Sequence, residues 1–114
     1  YCVKTGQTVP ETPGEVATVV YASLAECYGR TVQQIEAITG KSYEAINIVG
    51  GGANADYLSQ LTANATKKTV YAGPTEATAL GNLAVQMMYA GELKGLVEAR
   101  NCIRNSFEIV EYKH

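Results

Sequence analysis

Histidine and aspartate are almost missing from this sequence: His114 is the only histidine and Asp56 the only aspartate. A Ser–His or Cys–His nucleophile pair would have to be built on a frayed last residue, which excludes that chemistry. The three cysteines, Cys2, Cys27 and Cys102, are far apart and form no CxxC pair, so zinc-ribbon and thioredoxin-type sites are excluded too. Sparse cysteine without a secretory leader fits a reducing cytoplasm. Nine basic residues are scattered among eleven acidic ones, for a net charge of -2. Nucleic acid and anionic membranes, which require a basic patch, are therefore not expected partners. No apolar run approaches the ~20 residues of a membrane span. Internal repeats and low-complexity segments are absent as well.

What is present is a chain of 114 residues, 46% of them hydrophobic, enough for one domain with a core. Tyr1 to Pro10 is polar and broken by Gly6 and Pro10, and reads as an extended lead-in. Thr12, Pro13 and Glu15 then form a helix start, with a T-x-x-E capping box and proline at the first helical position. Val16, Val20, Leu24, Cys27, Thr31, Ile35 and Ile38 follow at the spacing of one helix face, and Gly40 ends the run. That predicts a helix of about 27 residues, roughly 40 Å long, with Gly29 as a weak point and Cys27 as a small buried hydrophobe.

Ala45 to Val49 reads as a strand buried on both faces. Gly50, Gly51 and Gly52 follow, and Ala53 to Asp56 opens a helix with Leu58, Leu61 and Ala65 inward and Lys67 and Lys68 at its end, where cations favour the dipole. Thr69 to Ala72 is a second strand, so the unit is βαβ with parallel strands. Gly73-Pro74-Thr75 is a turn. Glu76 starts a helix lined by Ala77, Leu80, Ala84, Met87 and Met88, with the methionines as core filler and Gly91 as the stop. Leu93 to Arg104 is a further helix with Leu96, Val97 and Ile103 inward. Phe107 to Tyr112 is an extended tail. Two parallel strands do not make a stable sheet, so the pattern reads as the second half of a larger α/β domain.

The chemistry lies in Ile48-Val49-Gly50-Gly51-Gly52-Ala53-Asn54-Ala55. A strand, a glycine turn and a helix start let backbone approach an anion and aim free N–H groups at it; a bare tight turn is the competing reading. The P-loop pattern fails, because Ala55 and Asp56 stand where Gly and Lys are required. The dinucleotide pattern GxGxxA is met at Gly50, Gly52 and Ala55, but no acid closes the second strand, where the first one is Glu76. Asp56 and Glu76 read as first-turn helix residues rather than catalytic acids. Phosphoryl transfer usually needs acids from separate segments, and no second acid is placed to work with Asp56.

The runs INIVGGGANADYLSQLTANA and VYAGPTEATALGN resemble the C-terminal nucleotide-binding domain of the FGGY carbohydrate kinases. Supporting features are YC-x-x-TGQ at Tyr1 to Gln7, the proline and glutamate at the first long helix, and LGN-x-x-x-Q at Leu80 to Gln86. Gly81-Asn82, where relatives more often show GAA, favours the branch whose sugar is L-rhamnulose. The resemblance implies an α/β fold: part of a ribonuclease-H-like, actin-like ATPase domain, with a long helix, a βαβ unit and flanking C-terminal helices. It implies that residues 1–114 are a C-terminal piece of that domain, whose first three strands and partner domain lie elsewhere. It also implies ATP and ADP as ligands, Mg²⁺ in the parent enzyme, and a sugar bound through the N-terminal domain. Gly50, Gly51, Gly52, Ala53 and Asn54 become the nucleotide-binding residues, with Glu76, Ala77 and Gly81 supporting the adenine wall. Ala55 departs from the Asn or Ser of many relatives, which bears on adenine hydrogen bonding, and Asn64 departs from their Asp. The resemblance assigns no catalytic and no metal-binding residue to this chain. The expected behaviour is therefore an inactive piece that binds ATP weakly at most and self-associates through its exposed sheet. A non-catalytic nucleotide-binding or assembly module and a Rossmann-type dinucleotide binder are the alternatives.

Overall fold

The capping box predicted at Thr12 sets the longest element. In the computed structural model, which describes residues 1–114, helix α2 spans Pro13–Thr39. The Glu15 N–H donates to Thr12 Oγ1 at 3.2 Å, and the Glu15 carboxylate accepts from the N–H groups of Glu11 at 2.7 Å and Thr12 at 3.1 Å. Those two backbone donors, Glu11 first, hold the Glu15 carboxyl below the usual carboxylate range. Gly40, in the left-handed region, closes the helix with its N–H on Glu36 O.

The lead-in is not extended throughout. Cys2–Thr5 forms one helical turn, α1, because Thr5 Oγ1 donates to the carbonyls of Tyr1 and Cys2 and Gly6 ends the turn with a positive φ. The remaining elements are β1 Ala45–Ile48, a 3-10 turn Gly51–Asn54, α3 Asp56–Thr66, β2 Thr69–Ala72, α4 Ala77–Tyr89, α5 Leu96–Ser106 and β3 Val110–Tyr112. Strands β1 and β2 are parallel, with Ala45 opposite Thr69 and Ile48 opposite Ala72. The tail supplies a third strand that two-strand counting missed: β3 runs antiparallel to β2, with Val70 opposite Tyr112 and Ala72 opposite Val110. The order is β1-β2-β3, so the outer edge of β1 pairs with nothing in the chain.

Helix α3 lies against α2 through small residues. Ala25 and Gly29 of α2 are buried, as are Ser59, Thr62 and Ala63 of α3. A side chain on Gly29 would put its Cβ 3.2 Å from the Ala65 carbonyl oxygen. Gly29 is thus a point of close helix approach, which explains a glycine in a helix interior where it otherwise costs about 1 kcal/mol. The apolar stripe of α2 is a different face. Val16, Val20, Leu24, Ile35 and Ile38 are exposed, and so is Cys27, against the expectation that it is buried. Helical spacing identified an apolar face correctly, but the neighbour that α2 meets in this chain is on the small-residue side.

Beneath α3 sits Val70, the largest fully buried side chain. A second cluster joins α4 to α5: Ala84, Leu93 and Ala99, with Met87, Met88 and Ile103 half-buried around them. Leu96 and Val97 are exposed rather than inward, because α5 begins at Leu96 and meets α4 through Ala99 and Ile103, with Leu93 contributed by the preceding turn. Only 10 of 114 residues are buried, and the radius of gyration is 18.1 Å, against about 13 Å for a compact domain of this length. No helix is long and apolar enough to cross a membrane.

Candidate nucleotide-binding site

The two parallel strands end side by side, and the glycine loop begins there. Two reciprocal bonds carry the pairing past the strands: the Gly73 N–H donates to Ile48 O at 2.9 Å, and the Gly50 N–H donates to Pro74 O at 3.1 Å. The segment Gly50–Asn54 is therefore fixed against the turn Gly73–Thr75, at the carboxyl ends of β1 and β2. Ligands of open α/β sheets bind at that end.

At this end of the sheet, Gly50 and Gly73 are required by backbone geometry. Gly50 has φ 80° and ψ −164°, a conformation that L side chains rarely adopt. Gly73 has φ 123°, and a Cβ there would lie 2.7 Å from Glu108 O, in the segment leading into β3. Gly51, Gly52 and Gly81 are not explained this way. A Cβ on Gly51 would meet nothing within 4 Å, one on Gly52 would make only an ordinary contact with Ile48, and one on Gly81, in the middle of α4, would again meet nothing. The chain has no steric reason of its own for glycine at 51 and 81. The N–H groups of Gly51 and Gly52 donate to no acceptor in the chain, whereas Ala53 and Ala55 close the 3-10 turn onto Gly50 O and Gly52 O. The expected residues Gly50 to Asn54 thus form one continuous loop with two free donors. Glu76 is the N-cap of α4 and Ala77 its first residue, directly after the turn that holds Gly50.

Asp56 is the first residue of α3, as expected, but its carboxylate does not cap the helix. Oδ1 accepts a hydrogen bond from Tyr112 Oη at 2.8 Å, and that bond raises the Tyr112 phenol above its ordinary range. One turn on, Gln60 Nε2 donates to Lys113 O at 2.7 Å. Both contacts join residues more than fifty positions apart, so no local pattern announces them.

Only Lys67 stays at the end of α3, where a cation favours the dipole. Lys67 is its left-handed C-cap residue, and Lys68 reaches away. Lys68 Nζ donates to Glu36 Oε1 at 2.8 Å and to Tyr43 O at 2.6 Å, while Glu36 Oε1 also accepts from the Tyr43 N–H at 2.9 Å. The Lys68 hydrogen bond, then the Tyr43 N–H, hold the Glu36 carboxyl below its usual range. This clamp ties the end of α2 to the start of both parallel strands, opposite the loop end.

Gly52 also borders a cavity of about 300 Å³ between α2, β1 and α3, walled mainly by Tyr28, Val32, Ile46, Ile48 and Leu58. Its lining is apolar and unsuited to phosphate, although the buried Ser59 hydroxyl at its edge has no hydrogen-bond partner. No three His, Cys, Asp or Glu residues stand close enough together to hold a metal ion.

Residues 2–90 match the C-terminal domain of the FGGY family of carbohydrate kinases. Over 112 residues the chain is 50% identical to a rhamnulokinase of Halalkalibacterium halodurans, covering 98% of this chain and 24% of that protein. A rhamnulokinase of Bacillus subtilis is 50% identical over 109 residues, covering 96% of this chain and 22% of that protein. One from Bacteroides thetaiotaomicron is 38% identical over 112 residues, covering 98% and 23%. The chain spans about a quarter of the length of these relatives. A mixed sheet flanked by helices, a glycine loop at its carboxyl end and a match over most of the residues agree: the chain belongs to the FGGY family of carbohydrate kinases and corresponds to the C-terminal part of such a sugar kinase.

Proposed function

We propose that residues 1–114 are the C-terminal, ATP-binding portion of a rhamnulokinase-type enzyme. Its reaction is transfer of the γ-phosphoryl of ATP to L-rhamnulose, giving L-rhamnulose 1-phosphate and ADP in the cytoplasm. Gly50, Gly51, Gly52, Ala53 and Asn54 face the nucleotide in this reading. The observation that carries it is the pair of free N–H groups on Gly51 and Gly52, at glycines that the chain's own packing does not require. Oriented amides of this kind stabilise phosphate oxygens without protein reorganisation. Stabilisation alone does not remove a proton from a sugar hydroxyl. Asp56, the only aspartate, is held by Tyr112, and in this reading the chain by itself has no kinase activity.

Titration of the isotopically labelled chain with ATP to millimolar concentration tests the site. The expected result is amide shifts concentrated at Gly50–Asn54, with ATP preferred over NAD and no rhamnulose phosphorylation. Shifts elsewhere, or tighter binding of NAD, would refute the assignment, and product formation by the chain alone would refute its inactivity. The free edge of β1 and the exposed stripe of α2 also support self-association of the isolated chain, and a monomer by sedimentation at high concentration would count against it.

A further inference from the structure

The first turn of α3 sets open N–H groups beside a carboxylate that can occupy them. Its N-cap, Ala55, has no side chain that can cap, so the N–H groups of that turn are open to any acceptor. Asp56, the first helical residue, carries a carboxylate that these N–H groups and the helix dipole attract. The loop closes on this turn, where the Ala55 N–H donates to Gly52 O at 3.2 Å, so a carboxylate folded back over it would bring negative charge toward the loop.

The carboxylate is not folded back. Tyr112 lies opposite the buried Val70 in the β2–β3 register, so the two side chains share the face of the sheet under α3. From there the phenol donates to Asp56 Oδ1 at 2.8 Å, and no side chain caps the start of α3. The Gln60–Lys113 bond fixes the same strand to the same helix one turn further on. We propose that Tyr112 is a positioning residue for the nucleotide: it holds the Asp56 carboxylate toward β3 and so keeps the Gly51 and Gly52 amides open to phosphate. The proposal rests on the phosphate-loop reading of Gly50–Asn54. It extends the site to a residue 22 positions beyond the segment that matches the family.

The test compares the wild-type chain with Tyr112→Phe, Asp56→Asn and the double variant, each titrated with ATP and with inorganic tripolyphosphate and followed at the amides of Gly50–Asn54. Freed from the phenol, the carboxylate competes for the N-terminal field of α3, so Y112F should bind both probes roughly two- to fivefold more weakly, the worth of one charge at a helix N-terminus. D56N should bind at least as tightly as wild type, and D56N in the Y112F background should restore binding. Hydrogen exchange at Val110–Tyr112 reports separately on β3. If the bond served only to anchor the strand, Y112F and the double variant would lose binding equally, which overturns the proposal. Weakened binding in D56N alone also overturns it, and that variant does not require Y112F to fold. A wild-type chain with no loop shifts defeats the phosphate-loop reading itself. Normal wild-type binding with an unaffected Y112F defeats only the role of Tyr112.

Discussion

Replacing Gly81 by alanine should move stability and nucleotide binding in opposite directions. Gly81 is the fifth residue of α4, it is exposed, and an added Cβ would meet nothing within 4 Å. In a helix interior the exchange removes the backbone entropy of glycine and should stabilise by about 1 kcal/mol. For a chain of this size that is an increase of roughly 4 °C in melting temperature. If the space beside Gly81 belongs to the adenine end of the nucleotide, the same methyl group should weaken ATP binding. Gly73→Ala provides the contrast. Its positive φ costs a side chain roughly 1–2 kcal/mol, and the 2.7 Å approach to Glu108 O forces backbone to move. With an overpacking cost of about 1–3 kcal/mol, the loss reaches several kcal/mol. Denaturant unfolding followed by circular dichroism, paired with ATP titration of the folded proteins, reads both effects. Destabilisation by Gly81→Ala would refute the packing reasoning. A stabilised Gly81→Ala that binds ATP as well as wild type would refute the placement of Gly81 beside the nucleotide.

The Glu36–Lys68 clamp predicts a loss of stability in acid. The folded carboxyl lies below its ordinary value, so its contribution is complete above that ordinary value and disappears as pH falls through the folded one. Unfolding midpoints measured from pH 6 down to pH 3 should fall, and Glu36→Gln should be less stable at pH 6 and show a flatter profile; parallel profiles for both proteins would exclude the clamp. Thr12→Ala removes the hydroxyl that accepts the Glu15 N–H and should cost about 1 kcal/mol, with hydrogen exchange accelerated first in the opening turn of α2; unchanged exchange there would show that the cap is not limiting.

Where the deciding interactions are local, the sequence was readable. Thr12, Pro13 and Glu15 determine one end of α2 and Gly40 the other, all through partners within four residues. The strand–glycine–helix order likewise puts Gly50–Asn54 in the segment that leaves β1. Strand β3 was not readable, since it has three paired residues and its partner Val70 lies some forty positions away. The Tyr112–Asp56 bond and the Lys68–Glu36 clamp likewise depend on closure of the chain. The stripe on α2 shows a subtler limit. Periodicity reports that a face is apolar, but not which neighbour covers it, and the face that α3 uses consists of alanine and glycine with little hydrophobic signal. The glycines show the same limit in the loop. Gly50 and Gly73 answer to backbone geometry and Gly51 and Gly81 do not, and only coordinates separate the two kinds.

The seam between α2 and α3 bears on how this sequence can drift. At Gly29 the neighbouring group is a backbone carbonyl, 3.2 Å from where a methyl group would stand, and a carbonyl cannot rotate aside as a side chain can. Variation at Gly29 is therefore closed to larger residues unless α3 shifts as a body. Because Asp56 begins α3, such a shift would also move the nucleotide loop. Across diverging copies of the protein, Gly29 should be among the slowest residues of α2 to change.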